Sequence, residues 1–113
     1  PSRNIEIEAI KNNEAAISFI HYLDKDKILN FLKENILVIK YVAREISKED
    51  LEDILREVLS KEEVEEKYVR DLLNCSIIDR NSKNFEIDKI MFIYKYGSKK
   101  ARKIAVDEKL KMI

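Results

Sequence analysis

The chain has 113 residues, 45% hydrophobic and 39% charged, with 22 basic and 22 acidic side chains and a formal net charge of zero. That length fits a single helical domain spanning 1–113 with a core of its own, and the composition describes a folded globular chain, not a disordered one. A lone cysteine, Cys75, excludes an internal disulfide framework and a cysteine-based zinc site, and unbroken apolar runs such as Ile36 to Ile39 are far short of a membrane span.

With one glycine, one proline and no threonine, the sequence has few specified turns and little material for a sandwich or barrel. The expectation is therefore a mostly α, compact bundle of six or seven short helices. The first helix is expected from about Asn13 to Leu23, with Ala16, Ile17, Ile20 and Leu23 at helical spacing. Asp24 or Asp26 caps the next segment, whose stripe is Ile28, Leu29 and Leu32. Ile36 to Ile46 is rich in β-branched residues yet keeps the 3-4 spacing through Val42, Ala43 and Ile46, which favours a buried helix.

From Ser47 to Leu59 the pattern is clearest: a near capping box of Ser47 and Asp50, then an apolar face of Leu51, Ile54, Leu55, Val58 and Leu59. Ser60, with Glu63, reads as the cap of a following helix that turns Val64, Tyr68, Leu72 and Cys75 inward. The polar run Asp79 to Asn84 suggests a turn, and the flanking residues also allow one small β-hairpin near 77–87. Asp88 then caps a helix to Tyr96, Gly97 suits a left-handed helix end, and Ser98 caps the last helix.

Chemistry-bearing patterns are sparse, and the domain is expected to lack catalytic power of its own. His21 is the only histidine, reads as a partly buried helix residue, and has no metal-ligand neighbour at helical spacing; one glycine cannot build a phosphate loop. Asp24 with Asp26, and Glu6 with Glu8, read as caps and solvated positions before they read as magnesium ligands. Glu52/Arg56 and Glu63/Lys67 are expected as i,i+4 pairs on solvated helix faces. Two DNA-reading templates fit poorly. In a winged helix, the recognition helix Lys61 to Asn74 would be net acidic. In a helix-turn-helix centred on Gly97, Val106 fits an inward position, but Ile93, Ser98 and Lys103 stand at the wrong places.

Zero net charge conceals two poles. Glu45 to Asp71 holds five basic against eleven acidic residues, whereas Arg80 to Ile113 holds ten basic against four acidic. At a screening length of roughly 8–10 Å, a basic face can hold phosphate although the whole molecule is neutral. The densest run is Tyr94-Lys95-Tyr96-Gly97-Ser98-Lys99-Lys100-Ala101-Arg102-Lys103. Cations in the first turn of a helix oppose its dipole unless an anion sits there, and the backbone N–H groups of that turn face the same anion. Lys95, Ser98, Lys99, Lys100, Arg102 and Lys103 are thus candidate phosphate contacts. Arg80 and Lys83 would extend the patch, with Tyr94 and Tyr96 stacking on exposed bases. The competing expectation is a protein-interaction module, winged-helix-like or simply helical, that uses the acidic helices through Glu62, Glu65 and Glu66. A third is that the lysines pair with the acidic helices of their own chain.

In length, helical content and this basic, tyrosine-flanked stretch, the chain resembles the helix-bundle domain that follows the catalytic domain in archaeal plasmid primases. The resemblance implies single-stranded DNA template binding in replication priming, a bound nucleotide such as ATP with magnesium, and an active site elsewhere in a parent protein. The non-methionine start and the apolar end at Met112-Ile113 fit a domain excised from such a protein. Abundant charge fits a thermophile, although eight asparagines weaken that reading. No stretch reads as a secretory signal, so the expected location is cytoplasmic, with no membrane contact.

Overall fold

The computed structural model describes residues 3–111, and they fold as a mostly helical bundle without a sheet. Seven α-helices follow one another: α1 (Arg3–Asn12), α2 (Lys25–Glu34), α3 (Ile39–Val42), α4 (Lys48–Leu59), α5 (Glu66–Asn74), α6 (Lys89–Tyr96) and α7 (Lys99–Lys111). Short 3-10 turns at Glu14–Phe19, Ile36–Val38 and Ala43–Glu45 connect the early helices.

The N-terminal third departs from the periodicity. The regular helix is α1, not Asn13 to Leu23; Asn13 ends it and accepts a hydrogen bond from the Ala15 N–H at 3.0 Å, so only a 3-10 turn follows. Competing side-chain hydrogen bonds of this kind favour caps over helix interiors. His21 consequently lies exposed in a bend, not half-buried in a helix. Asp24 is the cap of α2, accepting from the Lys27 N–H at 2.8 Å.

Buried Asn35 joins three elements. Its side-chain amide donates to the Ile10 carbonyl at the end of α1 (2.9 Å), and its oxygen accepts from the Leu37 N–H (3.0 Å). Ile36 to Ile46 is helical but broken, because the chain switches between 3-10 and α geometry to bury Ile36, Val38, Ile39, Val42 and Ile46 around it.

α4 begins with the expected capping box, and Leu51, Ile54, Leu55 and Leu59 face the core. Ser60 does not cap α5. It ends α4, its hydroxyl donating to the Glu57 carbonyl at 3.2 Å, and the chain turns through 61–65 before α5 starts. Tyr68, buried on α5, donates its hydroxyl to the Leu32 carbonyl at 2.7 Å, locking α5 to the end of α2. Burial drives its phenol pKa far above the ordinary value.

The hairpin near 77–87 does not form. Ile78 and Phe85 share one isolated bridge around a turn that Asp79 and Ser82 stabilise, with the Ser82 N–H donating to the Asp79 carbonyl at 2.9 Å. Two inward apolar residues with a six-residue polar loop between them can fasten a loop, but a ladder needs further pairs. Lys89 closes this region from below. Its half-buried ammonium donates to the Leu73 and Cys75 carbonyls at 2.9 Å each, satisfying the end of α5, and burial pushes its pKa down.

The i,i+4 pairs also differ from expectation. Arg56 pairs with Asp53 rather than Glu52, and Lys67 with Asp71 (2.6 Å) rather than Glu63, which lies in the turn before α5.

Candidate nucleic-acid interface

The basic run folds into a tight elbow between α6 and α7, and its shape follows from three small residues. Asp88 starts α6 by accepting from the Met91 N–H at 3.2 Å. At the far end Gly97 is extended (φ −74, ψ 154), not left-handed, and its N–H donates to the Ile93 carbonyl at 2.8 Å. The reason for glycine is proximity: a Cβ here would lie 2.5 Å from the Ile93 oxygen and 3.2 Å from the Ala101 Cβ. Ser98 is buried and fully engaged. Its hydroxyl accepts from the Ala101 N–H (3.1 Å), and its own N–H donates to the Leu59 carbonyl (2.7 Å), sewing the start of α7 to the end of α4. Ser98 is therefore a builder of the elbow, and its hydroxyl is not displayed to a ligand.

Around this elbow Lys95, Lys99, Lys100, Arg102 and Lys103 are all exposed. Lys95 extends over the Tyr96 ring, its nitrogen 5.3 Å from the centroid. Arg102 reaches back to the Gly97 carbonyl at 3.4 Å, and Lys103 shares Asp107 at 3.3 Å. Lys99 and Lys100, in the first turn of α7, have no ion-pair partner among the described residues. Ser98 caps the Ala101 N–H, and the two lysines with the remaining N–H groups of that turn form a concentrated positive site, of the kind that holds phosphate.

The two tyrosines separate. Residues two apart on a helix point about 200° from each other, and only Tyr94 stands out into solvent. Tyr96 leans on Phe92, with ring centroids 4.8 Å apart, and Arg56 of α4 covers it at 5.4 Å. Arg56 thereby joins the cationic surround of the elbow, a contact that sequence spacing did not suggest because it spans forty residues.

Arg80 and Lys83 lie elsewhere. Arg80 is exposed and pairs with Asp88 at 3.7 Å, beside a groove that Lys109 and Glu108 also line. It thus neighbours the C-terminal end of α7, about 15 Å along the helix from Lys99. Lys83 is exposed in the polar turn. The fold brings five of the candidate cations to one elbow and leaves these two outside it.

About half of the acidic segment is matched by other means. Asp50 pairs with Lys25 (3.1 Å), Glu57 with Lys33 (3.1 Å) and Glu65 with Lys11 (3.0 Å), three lysines from the N-terminal third. Glu66 pairs with Arg70 at 3.5 Å within α5. Glu65 raises the pKa of Lys11, while the Ser47 backbone N–H, and after it Lys25, holds Asp50 below the ordinary carboxylate value. No described ion pair joins residues 80–111 to residues 45–71, which removes the expectation that the lysine run is matched by its own acidic helices.

The acidic pairs considered as metal ligands are occupied or apart. Asp24 is a helix cap, and Glu6 pairs with Lys27 at 3.1 Å. No group of three or more histidine, cysteine, aspartate or glutamate residues is arranged to hold a metal among the described residues. No described helix is long and apolar enough to cross a membrane. Compared with protein-family models, with curated proteins and with solved structures, the chain finds no match.

Proposed function

We propose that this chain is a non-catalytic nucleic-acid-binding domain of the cytoplasm, with single-stranded DNA its favoured ligand and replication priming its setting. Lys95, Lys99, Lys100, Arg102 and Lys103 contact phosphates, and Tyr94 stacks on a base. The observation that carries this reading is the pair Lys99 and Lys100 at the start of α7. They are exposed, have no ion-pair partner among the described residues, and stand in the first turn of the helix. Nature's usual arrangement puts cations at the other end of a helix, and an anionic ligand reverses the sign of that penalty.

A nucleoside triphosphate such as ATP is a second ligand of the same chemistry. Its phosphates would sit on the lysines and its base on Tyr94, with magnesium arriving on the phosphates. The rest of a parent protein would supply the chemistry of primer synthesis.

Fluorescence anisotropy with short single-stranded and duplex DNA across a salt series tests this. Binding should fall steeply with salt, with a slope of about −0.7 per phosphate contact on a single strand. No binding at low salt would defeat the proposal.

A further inference from the structure

We propose that two unpartnered helix faces of this chain, the acidic-rimmed outer face of α6 and the basic outer stripe of α7, form the two halves of a self-docking surface whose occupant is a second copy of the chain. α7 turns Ala101, Ile104 and Ala105 to the core. On its opposite side Lys99, Lys103, Val106 and Leu110 recur at helical spacing, and Val106 and Leu110 are 40% and 61% exposed. Val106, whose spacing from Gly97 suits an inward position in a helix-turn-helix, faces out. A solvated helix face carries polar residues at such places, so two branched aliphatics in line with two lysines make a cationic amphipathic stripe.

The complement lies on α6. Met91 (62% exposed) and Tyr94 (49% exposed) line a shallow groove whose rim includes Glu52 and Glu86. Neither glutamate has an ion-pair partner among the described residues. Asp88, also on the rim, is engaged by Arg80 and by its capping role, and Lys95, which lines the same groove, extends over the Tyr96 ring and leaves carboxylates in the majority. One face therefore offers an apolar pair with free carboxylates, and the other an apolar pair with a free lysine (Lys99) and one held only by the exposed Asp107.

The two faces do not meet within one molecule. The Gly97-Ser98 elbow turns α7 back onto the core, so its stripe points away from the body that carries the groove. Each face finds its complement in charge and in apolar surface on another copy. Zero net charge removes the overall repulsion that keeps most small domains apart. The self-docking surface shares Tyr94, Lys99 and Lys103 with the nucleic-acid reading, so a second copy and a nucleic acid would compete for them, and it is tested without nucleic acid.

Sedimentation velocity of the full chain should show mass rising with concentration from one chain toward two at about 25 mM salt, and returning to one chain at about 500 mM. Glu52→Lys with Glu86→Lys, and separately Lys99→Glu with Lys103→Glu, should each abolish association. Mixing the two charge-reversed variants should restore it, because each supplies the face that the other now needs. Val106→Ser with Leu110→Ser should weaken association about tenfold or more without altering its salt dependence. A wild-type chain that stays a single copy at every concentration, or reversed variants that remain apart when mixed, would overturn the proposal.

Discussion

The acidic stretch from Glu45 to Asp71 and the basic stretch from Arg80 to Lys111 carry formal charges of equal size and opposite sign, yet the fold treats them differently. Six of the eleven acidic side chains have an ion-pair partner, and three of those partners are lysines brought from the first 33 residues. In the basic stretch the described ion pairs are short-range, Arg80 with Asp88, Lys103 with Asp107 and Lys111 with Glu108, and Lys99 and Lys100 stay unmatched. The first pattern ties helices together: Lys11, Lys25 and Lys33 join α1 and α2 to α4 and to the turn before α5. The second leaves charge available to a ligand. Exposed pairs contribute only about 0–1 kcal/mol each, so the acidic network acts mainly through register, and the unmatched lysines cost little to keep.

The largest effect is expected where the basic stretch is built. In Gly97→Ala the new methyl group meets the Ile93 carbonyl at 2.5 Å, and no rotation of an extended residue removes it. Thermal unfolding should report a loss of about 2–3 kcal/mol, and DNA binding should fall with it. Next comes Lys99→Ala/Lys100→Ala/Arg102→Ala. Affinity for single-stranded DNA should drop about 10- to 100-fold and the salt slope should shrink by about 2, with helical content unchanged. An unaltered affinity in the triple variant would mean that unmatched charge on this stretch is not a binding site.

Much of the fold was legible because local signals agreed with one another. Ser47 with Asp50, Asp88 and Ser98 are strong caps in front of strong apolar stripes, and those helices start where the sequence says. Legibility failed where a local signal served a different end. Ser60 and Glu63 mimic a capping box, but the chain needs the 61–65 turn to deliver Val64 and Tyr68 to the core, and Ser60 closes α4 instead. Asn13 stops α1 rather than starting a long helix, which periodicity alone does not register. At the elbow the residue types were readable and their reasons were not. Gly97 answers a close approach rather than a left-handed turn, and the buried role of Ser98 depends on Leu59, thirty-nine residues away. Arg80 belongs to the other end of α7 for the same reason, since the Ile78–Phe85 fastening fixes where its loop returns.

A smaller effect should separate the two tyrosines of the basic stretch. Tyr94→Ala removes a half-exposed ring with no aromatic or cation partner among the described residues, so binding to single strands should weaken by about 1 kcal/mol or more while the melting temperature holds. Tyr96→Ala removes a ring packed on Phe92 and covered by Arg56, and should do the opposite, lowering stability by about 1–2 kcal/mol with the salt slope of binding preserved. Anisotropy and thermal melts on the same two proteins decide it. Equal losses of affinity would place both rings in the site.

The smallest effect sharpens the acidic side of the comparison, because it asks whether Asp50 is held by the helix or by its counter-ion. Its carboxylate accepts from the Ser47 N–H at 3.0 Å and meets Lys25 at 3.1 Å, and its pKa is lowered from the ordinary 3.8, first by the Ser47 backbone and then by Lys25. A depressed folded pKa gives stability that is present above the unfolded value and is lost as pH falls through the folded one. Asp50→Asn should therefore lower stability at neutral pH by about 0.5–1 kcal/mol and flatten the acid limb below about pH 4. Lys25→Ala should flatten it less, since the capping box remains. If denaturant melts between pH 2 and 7 show the two variants flattening it equally, the ion pair outweighs the cap. The lysines of α1 and α2 would then contribute to the acidic segment by charge as well as by register, and the contrast with the unmatched lysines of α7 would widen.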